Sequence, residues 1–210
     1  ELLSGIDPRV QFQIANSIWY RLGFTVEQLF IDTNKKYFNA EISALDFSLP
    51  GSVNIINNWV DKNTNRKIDK IIDSIDPMTV MFLINAIYFN GTWTYEFDKK
   101  VTSDRPFYLS ESRTKDVPTM VQTNDFSYLQ NSQLQAIDLP YGNGAFRMTV
   151  LLPSPGSSVN ELVQNMNAST WNAWLGQLKK SKGTVYMPKF KLEYEKVLNQ
   201  VLAAMGMEVA

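Results

Sequence analysis

The stretch "NAIYFNGTW", residues 85–93, decides how this 210-residue sequence is read. It follows the apolar run "TVMFLI" and continues directly into "TYEF". Residues 79–89 are almost all apolar, so they read as one long strand with both faces covered. A plain core strand needs none of Asn85, Gly91 or Trp93. An Asn in a buried strand must have its amide satisfied, so Asn85 implies a polar network inside the sheet. Gly91 implies a bulge or a close backbone approach. Trp93 and Phe97 supply large apolar bodies where the strand leaves the core. On these residues alone two readings stand: a structural kink with a satisfied Asn, or a polar contact that serves function.

Upstream, "VQFQIANSIWYR" (residues 10–21) alternates Val10, Phe12 and Ile14 before becoming mixed, the pattern of a strand. "TVEQLFIDTNKKYFN" puts Val26, Leu29, Phe30 and Tyr37 near one helical face, with Thr25 as the expected N-cap. "AEISALDF" reads as a short strand. In "PGSVNIINNWVDKNTNRKI", Val53, Ile56, Trp59 and Val60 fall on one face of a helix capped by Ser52 and running to about Lys67. Downstream, "RPFYLSESRTKDVPTMVQ" reads as two strands around a polar turn. "LQAIDLPYGNGAFRMTVLLP" reads as a hairpin turning on "GNG". "SVNELVQNM" and "NASTWNAWLGQLKK" are short helices, "GTVYMPKFKLEYE" is a strand broken by Pro188, and a last helix carries Leu198, Val201, Leu202 and Met205. Strands and helices alternate irregularly, so the class is α+β, in one large domain rather than two small ones.

Composition narrows the chemistry. Twenty basic against 21 acidic residues give a net charge of −1, no field for nucleic acid or an anionic membrane. The pairs Lys35-Lys36, Lys99-Lys100 and Lys179-Lys180 have no interleaved aromatic or Gly-rich element and read as solvated faces. With no cysteine, disulfides and thiolate catalysis are excluded. With no histidine, so are a Ser-His-Asp triad, a His-ligated zinc and a His general base. No apolar run reaches membrane-spanning length. The opening "ELLSGIDPRV" has no signal-peptide pattern. No metal or cofactor is expected.

An enzyme would have to use carboxylates, Lys, Tyr or Ser. Asp69, Asp73 and Asp76 in "DKIIDSID" have the spacing of a solvated helix face, although a carboxylate pair assembled from distant positions is invisible to sequence. "GNG" lacks the Lys and helix of a phosphate loop. "SPGSS" is explained by helix capping. Asn90 and Asn167 open glycosylation sequons.

The same stretch resembles the serpin family. The pattern N-A-x-x-F-x-G-x-W-x-x-x-F is filled at Asn85, Ala86, Phe89, Gly91, Trp93 and Phe97. "INNWVDKNTNRKI" is similar to the family's helix over the main sheet, usually I-N-x-W-V-x-x-x-T-x-G-K-I, with Arg66 where Gly is usual. That departure implies a changed helix C-cap. "LPY" with "TVLLP" resembles paired strands of the second sheet, "MPKF" the start of another main-sheet strand, and "LNQVLAAMGM" the helix after it. The set runs in the family's order over essentially the whole chain.

The resemblance implies a serpin-like α+β fold: mixed multi-strand sheets with helices packed on the main sheet. Residues 1–210 would be the central part of a single domain, incomplete at both ends, without the N-terminal helices or the C-terminal reactive loop. The abrupt close "MGMEVA" fits that expectation, and such a piece alone would expose sheet edges and self-associate. The implied activity is suicide-substrate inhibition of serine proteases, with cysteine proteases as a second class, outside the cytoplasm or at the cell surface. The protein would not be an enzyme. Serpin loop insertion is itself a standard example of strand addition and of released strain. Asn85 and Phe89 would lie in the shutter, where the sheet opens. Gly91, Trp93, Phe97 and Lys189 would lie in the breach, where the loop first enters, Lys189 awaiting an acidic partner in the absent segment. Asn57, Trp59 and Thr64 would belong to the overlying helix. Two rivals remain: a non-inhibitory serpin-like protein that binds a ligand or partner chain, and a carboxylate hydrolase on an unrelated α+β fold.

Overall fold

The computed structural model describes residues 3, 5–110, 112–192 and 197–206. The expected end of the "KLEYE" strand and the terminal "MEVA" lie outside them. The chain separates into two compact units, residues 1–96 with 126–180 and residues 97–125 with 181–210.

In the first unit, β1 (Val10–Arg21), α1 (Gln28–Phe38), β2 (Glu41–Leu45), α2 (Gly51–Asn63) and β3 (Met81–Gly91) follow in order. The strands form a sheet ordered β2-β1-β3, β1 parallel to β2 and antiparallel to β3. α2 covers one face. Its Ile56, Trp59 and Val60 pack with Trp19, Phe47, Ile84 and Ala86 into the main core. Trp19 and Trp59 meet edge to face at 6.3 Å. Each such side chain contributes about 1.5–3 kcal/mol on burial, so this layer fixes the sheet to the helix.

The rest of the first unit is a second layer. β5 (Arg113–Gln130) pairs through residues 127–130 with β6 (Leu134–Tyr141), which forms the expected hairpin with β7 (Phe146–Pro153). α3 (Val159–Asn165) starts on a capping box between Ser158 and Glu161, and α4 (Ala168–Gln177) is capped by Asn167. Trp174 of α4 closes a small core with Leu129, Leu134 and Ala136.

In the second unit, β4 (Ser103–Ser110) pairs antiparallel with the first part of β5, and β8 (Lys179–Pro188) also pairs with β5. The hydroxyls of Thr123 and Thr184 lie 2.8 Å apart, and the Arg105 guanidinium sits 4.7 Å over the Tyr186 ring. α5 (Asn199–Ala204) is the last described helix.

Four expectations are corrected. Among the described residues a helix covers β3 on one face only: Ile84 and Ala86 pack under α2 and Tyr88 is buried on the same face, while Leu83, Ile87 and Phe89 are 48, 56 and 40% exposed. A continuous apolar run says nothing about which face a single helix covers. Thr25 does not cap α1, which begins at Gln28 with no side-chain cap and leaves Leu29 and Tyr37 exposed. Ser52 does not cap α2 either: the helix starts at Gly51 after Pro50, and Ser52, now inside the first turn, donates to the Asp46 carbonyl at 2.7 Å. The segment carrying Asp69, Asp73 and Asp76 is irregular rather than helical. Positive φ at Asn65 (51°) and Arg66 (59°) turns the chain out of the helix just before it.

Candidate functional site

The β1–β3 register sets Asn16 opposite Asn85. Asn85 Nδ2 donates to Asn16 Oδ1 at 2.8 Å, and Asn16 Nδ2 donates to the Phe38 carbonyl at 2.8 Å. A polar relay therefore runs from β3 across β1 to the end of α1. The network expected at Asn85 exists, but on the face away from α2, where Asn85 is exposed rather than buried. Four positions on along that face, Phe89 meets Phe12 at 6.3 Å, Phe146 at 5.6 Å and Tyr141 at 5.0 Å, each edge-on.

At the end of β3 the ladder continues to Val10 opposite Gly91 without a bulge. The close approach is real: a Cβ on Gly91 would lie 3.1 Å from the Tyr141 ring and 3.2 Å from that of Phe89. Trp93 stacks on Tyr141, centroids 4.3 Å apart and planes 15° from parallel. Burial raises the Tyr141 pKa. Thr94 is fastened to the same turn, its N–H donating to the Pro140 carbonyl at 2.9 Å and its hydroxyl to that of Gly142 at 2.8 Å.

α2 is tied to the chain that follows it. Asn57 Oδ1 accepts the N–H groups of Ile71 (2.9 Å) and Ile72 (3.1 Å), and Nδ2 donates to the Ile72 carbonyl (2.9 Å). Trp59 Nε1 donates to Glu41 at 2.8 Å, fixing the helix to the edge strand β2. The Thr64 hydroxyl donates to the Val60 carbonyl (2.8 Å) and accepts the Ile68 N–H (3.1 Å). Asn65 Nδ2 reaches the Tyr88 hydroxyl on β3 at 3.0 Å, and this bond, with one from Asn90, lowers the Tyr88 pKa. Thr64, Lys67 and Ile68 line one wall of a cleft of about 410 Å³ whose other wall is residues 87–90 of β3.

A family model described as serpin (serine protease inhibitor) matches residues 1–210. The chain belongs to the serpin family. The serpin chain is 32% identical over 203 residues to antichymotrypsin-2 of Bombyx mori, covering 94% of this chain and 54% of that one. It is 31% identical to human serpin B11 over 208 residues, covering 95% and 53%. The emu ovalbumin structure (Dromaius novaehollandiae) superposes with a TM-score of 0.90 at 27% identity, over 99% of this chain and 56% of that one. Tengpin, a thermophilic serpin in its native state, superposes with a TM-score of 0.87 at 29% identity, over 96% and 52%. This serpin chain thus spans about half the length of the relatives it matches. The fold is serpin-like, with mixed helices and multi-strand sheets, and the family is one of protease inhibitors, not enzymes.

The serpin structure brings Asn85, Phe89, Gly91 and Trp93 onto β3 and its exit, with Asn57, Trp59 and Thr64 on or just after α2 in the same unit. Phe97, half-buried, and Lys189 belong to the second unit. There Lys189 is exposed and its backbone N–H donates to the Pro118 carbonyl at 2.8 Å. Among the described residues no group of three or more acidic side chains could hold a metal ion, and no helix is long and apolar enough to cross a membrane. Sequence reasoning missed Asn16, the partner of Asn85, although "IAN" inside an alternating strand carries the same polar signal. It also missed Asp7, whose Asp-Pro pair just before β1 is a turn signature.

Proposed function

We propose that the full-length protein is a serine protease inhibitor that traps its target by inserting a cleaved reactive loop into the main sheet, with cysteine proteases as a second target class. The observation that carries this reading is the position of β3. It ends the β2-β1-β3 sheet among the described strands, bears the Asn16–Asn85 relay on one face and lies under α2 on the other. An edge strand offers unpaired N–H and C=O groups to an added strand. In this reading Asn85 and Phe89 act where the sheet opens, exchanging partners between closed and expanded states. Gly91, Trp93, Phe97 and Lys189 act where the loop first enters. Asn57, Trp59 and Thr64 hold the helix that must yield as the strand passes. Lys189 pairs with an acidic residue of the C-terminal segment. Residues 1–210 form the central part of one domain, a reading supported by a family model that runs through both units without interruption. Action outside the cytoplasm is inferred from the family, no cofactor is required, and the partners are proteases rather than nucleic acid.

Several relatives carry inhibitor names, antichymotrypsin and antitrypsin among them. Others are named ovalbumin and angiotensinogen, names without an inhibitor term, which leaves a second reading: a serpin that binds a ligand or partner chain without trapping proteases. Incubating the full-length protein with a panel of serine and cysteine proteases separates the two on a denaturing gel. A covalent band at the summed mass, with a higher thermal midpoint after loop cleavage, supports trapping. Cleavage with neither result supports the second reading.

A further inference from the structure

Three segments distant in sequence meet at the exit of β3, and one carboxylate joins them. Asp7 is 1% exposed. One of its oxygens accepts the Arg9 N–H at 2.9 Å, and the other accepts the Asn143 N–H at 2.6 Å from 136 positions away. Its carbonyl accepts the Val10 N–H at 3.1 Å, the first turn into β1. Gly142, at φ +55°, lies so close that a Cβ there would stand 2.5 Å from both carboxylate oxygens. The Gly142 N–H donates to the Thr92 carbonyl at 2.8 Å. The turn at 142–145 is therefore held between the start of β1 and the chain leaving β3. At its base is Tyr141, the ring on which Trp93 stacks.

We propose that Asp7 is a positioning residue whose carboxylate latches the 142–145 turn and thereby holds Tyr141 in its stack on Trp93. The latch opens when the carboxylate takes up a proton. A protonated carboxyl loses acceptor strength toward the backbone N–H groups that donate to it, while the buried pocket offers it no water in exchange. The only charged side chain acting on it among the described residues is Arg9, at the start of β1. The turn and the chain leaving β3 present Gly142, Asn143, Gly144, Ala145, Thr92 and Thr94, none titratable, beside Tyr141. Burial works against ionisation of Asp7, but the N–H groups of Arg9, Asn143 and Ala145 and the Arg9 charge outweigh it and lower the pKa. The sign follows: a depressed carboxylate stabilises the latch above its ordinary pKa of 3.8 and releases it as pH falls through the depressed value. The use of such a latch, setting how firmly the point of loop entrance is closed, rests on the loop-insertion reading. Its existence does not.

The test uses the full-length protein with fluorotryptophan incorporated, the Trp93 resonance assigned by Trp93→Phe, and amide exchange followed at Asn143. In Asp7→Asn the Asn143 amide is expected to exchange about tenfold faster, the loss of one hydrogen bond to a charged acceptor. The Trp93 resonance should shift, while the amides of Ile84 and Ala86 keep their protection. The wild type should show the same Trp93 shift on acidification, and Asp7→Asn should lack that step. Should Asp7→Asn not fold, Gly142→Ala crowds the carboxylate from the other side and is expected to shift the same resonance. Unchanged Asn143 exchange and an unmoved Trp93 resonance in a folded variant, or an acid step that survives in Asp7→Asn, would overturn the latch. Neither readout involves protease trapping, so a failure here is distinct from a failure of the inhibitor reading.

Discussion

The two faces of β3 are made from the same alternating strand but do different work. On one face Ile84 and Ala86 meet Trp19, Ile56 and Trp59, and α2 shields them from solvent. On the other, Leu83, Ile87 and Phe89 are roughly half exposed and the polar Asn85 reaches across to Asn16. The first face is what a stable core requires, because apolar area leaves water against a close-packed partner. The second carries a side-chain amide pair, which adds little stability on an exposed surface but is easily exchanged for another partner. A strand that anchors a helix on one side and keeps a replaceable polar contact on the other is what the loop-insertion proposal asks of this sheet.

Truncation on each face tests this contrast most severely. Ile84→Ala in the full-length protein is expected to lower unfolding stability in urea by about 2–5 kcal/mol, whereas Ile87→Ala should cost under about 1 kcal/mol. Equal costs would show that both faces are covered in the full-length protein and break the comparison. Next comes Asn57→Ala, which removes three hydrogen bonds between α2 and the chain behind it. A loss of about 2 kcal/mol is expected, since the backbone groups of Ile71 and Ile72 would be left without partners, and a loss within error of zero would mean that water replaces the amide freely.

Arg66→Gly should act in the opposite direction. Arg66 sits at φ 59°, a left-handed conformation that costs a residue with a Cβ about 1 kcal/mol and glycine almost nothing. The variant is expected to raise the urea midpoint by that amount, and a fall would show that the Arg66 side chain contributes more than its backbone costs. The smallest equilibrium effect belongs to Asn85→Ala, under about 1 kcal/mol for an exposed amide pair. The informative readout there is kinetic. If the pair governs sheet opening, the variant changes the partition between trapped and cleaved protease in the gel assay while its urea midpoint stays near the wild type, and an unchanged partition would leave Asn85 as architecture alone.

Much of this was legible in the sequence. The span of β1, the β6–β7 hairpin on "GNG", the helical stripe Val53, Ile56, Trp59, Val60 and the capped start of α3 all follow from patterns contained within a dozen residues, and each stands in the structure, with Val53 only half-buried at the start of the stripe. Illegible were the helix starts around Thr25 and Ser52, where several polar residues compete to cap and the choice depends on what the first turn packs against. The exposure of Asn85 was equally hidden, because a run of apolar residues looks the same whether one face is covered or two.

By itself the sequence determined the order of strands and helices, the α+β class and, through the filled positions from Asn85 to Phe97, the family. Local periodicity and turn chemistry are properties of neighbours in the chain, and a family signature is read position by position. Only the tertiary structure decided that Asn85 finds Asn16, that Asn65 reaches Tyr88 and that Asp7 closes on a turn 136 residues away. Those pairings depend on strand register and on which face a helix covers, and both are set by burying apolar area across the whole sheet rather than by any stretch within it.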